Sequence, residues 1–159
     1  MGLPNCPESG SSNCGPWRRP ELRAALAEAD AALAKRDDAA GRARRGRLRR
    51  ASGDHAGALE DFQRALDLDP YHAAAHAGLG EADLSRPEAE ESLTRALEHD
   101  ADFAWARLWR GAARLLKGDA AGAKSDLESF VGLVPDSALG FLLLGAAEER
   151  LKSKPRALK

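Results

Sequence analysis

One helical pattern is written three times in this chain, and no other feature limits its fold as strongly. Ala58, Phe62 and Ala65, closing at Pro70, are answered by Ala89, Leu93 and Ala96, and again by Ala123, Leu127 and Phe130, closing at Pro135. The copies begin at Ala58, Ala89 and Ala123, which sets a period in the low thirties. Upstream of each copy lies another helical segment with a glycine at its middle, Gly46, Gly78, Gly111 and then Gly145, and these glycines keep the same period. A period of this length in helical units describes an array in which each helix pair buries its apolar face against its neighbours alone. A fainter copy, Ala25, Ala29 and Ala32, precedes Ala58, Phe62 and Ala65 by one further period. The array therefore opens on a lone second helix and closes on a lone first helix. The expectation is an all-α chain of about seven helices, three repeats with half a repeat at each end, over residues 20–152.

Composition agrees. The 159 residues include 33 Ala and 23 Leu, but no Ile, two Val and one Thr, so the residues that fill sheets are nearly missing. Lys and Arg number 24 against 25 Asp and Glu, which leaves no global field for nucleic acid or a membrane surface. A mid-helix glycine costs about 1 kcal/mol relative to Ala, and close approach of a neighbouring helix would offset it. Gly53 and Gly118 suit left-handed helix stops, with Asp54 and Asp119 starting the next helix, and Ser85 to Glu88 reads as a capping box.

These residues resemble the tetratricopeptide repeat family: a period near 34, small residues where helices cross, and an Asp-Pro or Val-Pro stop. The resemblance covers roughly residues 20 to 152. It implies a right-handed superhelical solenoid of antiparallel helix pairs, with first helices lining a concave face that binds a segment of a partner protein. The chain departs from the pattern in two places. Arg42, Arg45 and Arg49 stand where the first complete repeat should have its packing aromatic, and the middle repeat is three residues short, with Ala101 in place of the closing proline.

Alignment on the mid-helix glycines sets two rows across that face, Ala40, His72, Trp105 and Leu139, then Arg44, His76, Trp109 and Leu143. Residues four apart share a helix face, so the groove grades from cationic to apolar. Arg47 and Arg50 extend its basic end and Leu108, Leu115 and Leu116 its apolar centre. Each member also has a plain structural reading. Trp105 and Trp109 could pack between helices, anchor a partner, or do both. His72 and His76 lack the further ligands a metal site requires, so no metal and no cofactor is expected. The arginines from Arg42 to Arg50 form either a solvated face or a surface for an acidic protein segment. Without interleaved aromatics they do not read as a nucleic-acid site. One subset of the family grips chaperone tails with groove asparagines and lysines. Here no Asn follows Asn13 and no Lys lies between Lys35 and Lys117, which disfavours such tails.

Nothing in the chain reads as catalytic. Gly78-Leu79-Gly80 follows no strand and lacks a third glycine, and no serine stands in a nucleophile elbow. The expectation is a non-catalytic adaptor. The alternative is a protein that assembles with itself through the segment Ala138 to Ala147, which has no polar side chain. Phe141, Leu142 and Leu144 would form that end-face interface, possible as a homodimer. No run of apolar residues reaches membrane-spanning length and no secretory signal is readable, so a cytoplasmic location is expected. Cys6 and Cys14 fall in a Gly, Pro and Ser-rich stretch within residues 1–19, read as a flexible tail, and 153–159 reads as a basic tail.

Overall fold

The computed structural model describes residues 20–153; the two tail readings, with Cys6 and Cys14, lie outside them. Eight helices follow in order: α1 (Pro20–Lys35), α2 (Ala39–Ser52), α3 (His55–Leu68), α4 (Ala73–Ala82), α5 (Ala89–His99), α6 (Ala104–Lys117), α7 (Ala120–Leu133) and α8 (Ala138–Ser153). There is no strand among the described residues. The count is eight where about seven were expected, since three helix pairs with a lone helix at each end add to eight. Each helix packs on the next, and α2, α4, α6 and α8 also touch in series. The first helices thus share one face of a helical-repeat solenoid.

Local chemistry sets the boundaries. Gly53 and Gly118 end α2 and α6 with φ of 90° and 84°, a left-handed conformation that a Cβ would strain. Their amides donate back to the carbonyls of Arg49 and Arg50, and of Arg114 and Leu115. Asp54 and Asp119 then cap the following helices, each accepting at 2.9 Å from the amide of Gly57 or Gly122. The capping box expected at Ser85 to Glu88 does not form. The Ser85 hydroxyl donates to Asp83 at 2.5 Å, and α5 starts at Ala89 with no side-chain cap. The shortened connection uses Ser85 to hold its own turn instead.

The core repeats with the sequence. Phe62, Leu93, Leu127 and Phe130 are fully buried. A Cβ on Gly46 would stand 2.8 Å from the Phe62 ring and one on Gly111 would stand 2.8 Å from Leu127; on Gly78 it would overlap Phe62. The mid-helix glycines thus create the close approach that their cost requires. Gly145 is different, with open space where its Cβ would be.

Arg42, Arg45 and Arg49 do something other than replace an aromatic. All three reach the buried carboxylate of Asp61 on α3, Arg45 at 2.5 Å, Arg49 at 3.0 Å and Arg42 at 3.2 Å. The third repeat uses the same arrangement: Arg110 and Arg114 meet the buried Asp126 at 2.7 and 2.8 Å. In the middle repeat the corresponding positions hold Ala77, Glu81 and Ser92, and this clamp is absent.

Candidate partner-binding groove

Losing the clamp opens the inner face. Where α2 and α6 present long side chains, α4 presents Ala74, Ala77 and Gly78, and a hollow of about 330 Å³ forms over them. Arg47 and Arg50 of α2 make one wall, Trp105 and Trp109 of α6 with the preceding Phe103 make the other, and Glu81 completes the lining.

The two walls differ in chemistry. Arg50 pairs with Glu81 at 2.8 Å, and its Nε is buried with no hydrogen-bond partner among the described residues. Arg47 is exposed and makes no ion pair among the described residues. Burial pushes the Glu81 carboxyl above its ordinary value, against the pull of Arg50 and Arg47. Trp105 is 49% exposed, its ring centroid 5.5 Å from that of Phe130. Trp109 is half-buried and packs against the cores on both sides of α6. Trp109 is thus mainly packing, and Trp105 keeps an exposed face.

The remaining expected residues are scattered. Arg44 is exposed and turns to Glu28 of α1 at 3.4 Å, outside the hollow. Leu108 is fully buried among α7 and α8 residues, and Leu115 is buried with it, so neither offers surface to a partner. Leu116 is exposed but does not line the hollow. His76 is buried, with Nε2 2.9 Å from the Pro70 carbonyl oxygen. His72 sits at the N-cap of α4, 3.7 Å from the Asp69 carboxylate. These histidines hold the turn before α4 and do not line the hollow. Leu139, Phe141 and Leu142 are exposed on α8, while Leu143 and Leu144 pack against the core. The expected four-step gradient reduces to two walls, cationic and aromatic, facing each other across small residues.

Phe103 and Glu81 were not anticipated. A signal existed: the run Ala73-Ala74-Ala75 followed by Ala77-Gly78 is the smallest surface on any first helix, and a small surface between Arg-rich and Trp-rich neighbours makes a notch. Among the described residues no group of three or more His, Cys, Asp or Glu is placed to hold a metal ion. No described helix is long and apolar enough to cross a membrane.

The family model described as "TPR repeat" matches residues 46–83, the stretch from the first mid-helix glycine to the end of α4. Over that stretch the chain matches a tetratricopeptide repeat. RNA polymerase II-associated protein 3 of Xenopus tropicalis is 37% identical over 87 residues, which is 52% of this chain and 13% of that protein. The chain thus matches about an eighth of that relative's length. Among solved structures it is similar to the first TPR domain of human RPAP3, at 22% identity and a TM-score of 0.65, over 76% of this chain and 97% of that one. It is also similar to the second TPR domain of human RPAP3 in complex with the HSP70 peptide SGPTIEEVD. There the identity is 27% and the TM-score 0.58, over 65% of this chain and 89% of that one.

Proposed function

We propose that this chain is a non-catalytic interaction adaptor that holds a short protein segment with acidic and apolar parts in the hollow between α2, α4 and α6. The observation that carries the reading is the opposition of Arg47 and Arg50 to Trp105 across the small residues of α4. A carboxylate would take Arg47 and compete with Glu81 for Arg50, while an apolar side chain would cover the free face of Trp105. The segment's chemistry is supported by the similar RPAP3 domain, whose bound peptide ends in two glutamates, a valine and an aspartate. Missing groove asparagines and lysines argue against the grip by which other family members hold such tails. Here arginines supply the cations.

Calorimetric titration with SGPTIEEVD and with a scrambled control tests the reading. Binding that weakens in both Arg47→Ala and Trp105→Ala variants is expected; binding indifferent to both would exclude the hollow as the site. Self-assembly through α8, the alternative reading of the sequence, draws no support from the comparisons.

A further inference from the structure

Glu81 occupies the repeat position that Arg49 and Arg114 hold in the flanking first helices. Those arginines reach forward to the buried Asp61 and Asp126 of the next helix. Glu81 has no corresponding target, since α5 carries Ser92 at that place, and its carboxylate turns back to Arg50 of α2 at 2.8 Å. Only 13% of its side chain is exposed, and it lines the hollow with Arg47 and Arg50. The middle repeat therefore puts an anion into the hollow where its neighbours put a cation into the core.

That anion changes what the hollow can hold. Arg47 and Arg50 stand three residues apart on α2 and share a helix face. Two guanidiniums on one wall would by themselves suit a phosphate, which carries about −1.5 to −2 charges near neutral pH and takes paired hydrogen bonds from arginine. Glu81 is the other charged residue of the lining, while Trp105, Trp109 and Phe103 bring no charge from the opposite wall. Two cations and one anion leave a single positive charge. One carboxylate neutralises it. A phosphate would leave an excess negative charge against apolar rings, beside a carboxyl that burial already pushes above its ordinary value.

We propose that Glu81 is the specificity-determining residue of the hollow: it restricts the anionic position to a single carboxylate beside an apolar side chain and turns away phosphorylated segments. This rests on the hollow being the site of partner binding and adds which anion it admits.

The test titrates labelled, end-blocked peptides Gly-Gly-Leu-X-Leu-Gly-Gly, with X as Glu, Gln or phosphoserine, into the full chain at about pH 7.5, read by fluorescence anisotropy. The parent chain should hold the Glu peptide at least about tenfold tighter than either of the others. The Gln peptide with its C-terminus unblocked tells a terminal carboxylate from a side-chain one. In Glu81→Gln both acidic peptides should tighten, the phosphoserine peptide far more, so that the preference disappears with the helical circular dichroism unchanged. Glu81→Asp should keep the parent order. A bridge that merely joined α4 to α2 would shift both peptides together and leave their order intact. That outcome, or a parent chain that takes the phosphoserine peptide as tightly as the Glu peptide, overturns the role of Glu81; weakening of both by Trp105→Ala would still leave the hollow as the site. No binding of any peptide at about 1 mM, or binding indifferent to Trp105→Ala, removes the hollow itself and this inference with it.

Discussion

Asp61 and Asp126 occupy one position of the repeat, two units apart, and each lies buried under guanidinium groups sent from the preceding first helix. The fork geometry of arginine lets Arg45 and Arg110 each hold both carboxylate oxygens, Arg45 at 2.8 and 2.5 Å and Arg110 at 2.8 and 2.7 Å. The bond to Asp126 also holds the Arg110 guanidinium above its ordinary value, burial opposing it. Removing a carboxylate from such a cluster leaves buried cations uncompensated, at a cost of about 3–5 kcal/mol. Asp126→Ala is expected to fall in that range by urea denaturation, with Ser92→Ala, at the same position of the middle repeat, near zero.

Glu90 gives a pH dependence. Its hydrogen bond from Arg114, reinforced by Lys117, holds its carboxyl below the ordinary 4.5 in the folded chain. A carboxyl depressed on folding contributes stability that is complete above its unfolded value and is lost as pH falls through the folded one. The stability difference between the parent chain and Glu90→Gln should therefore be largest near neutral pH and shrink below about pH 4.5. Denaturation series at several pH values check this; a difference constant down to strongly acidic pH would contradict it.

Within the hollow, Glu81 competes with any incoming anion for Arg50. Glu81→Gln is expected to tighten binding of an acidic peptide several-fold, while Arg47→Ala slows association and flattens its salt dependence. Stopped-flow binding at two ionic strengths reads both effects.

Leu108 and Trp105 lie three residues apart on α6 and should separate stability from binding. Leu108→Ala empties a fully buried site and should cost about 2–5 kcal/mol of folding stability, with peptide affinity in the folded protein nearly unchanged. Trp105→Ala should do the reverse. Thermal melts and titrations on both variants decide it.

Gly78 and Gly145 share a repeat position but should respond with opposite sign. An added methyl at Gly78 overlaps Phe62, which is also pressed against Gly46; Gly78→Ala should destabilise by about 1–3 kcal/mol. At Gly145 nothing opposes the methyl, and Gly145→Ala should stabilise the helix by up to about 1 kcal/mol. Chemical denaturation of the two variants beside the parent chain reads both signs.

The period of the sequence determined the helices, their pairing and the places where backbones approach closely, because each repeat contacts only its neighbours and writes its needs locally. Gly53, Gly118, Asp54 and Asp119 were legible for the same reason: a cap is satisfied within a turn of its own position. The site was less legible. Aligning residues along the chain assumed that equal positions face equal directions, which placed His76 and Leu108 on the groove; packing turned both inward. The roles of Arg45 and Arg49 depended on the Asp61 carboxylate of the next helix, and the hollow depended on the absence of that clamp from α4. Such relationships join side chains from different helices, so only the assembled stack decided where the cations stand free and which apolar face is left uncovered.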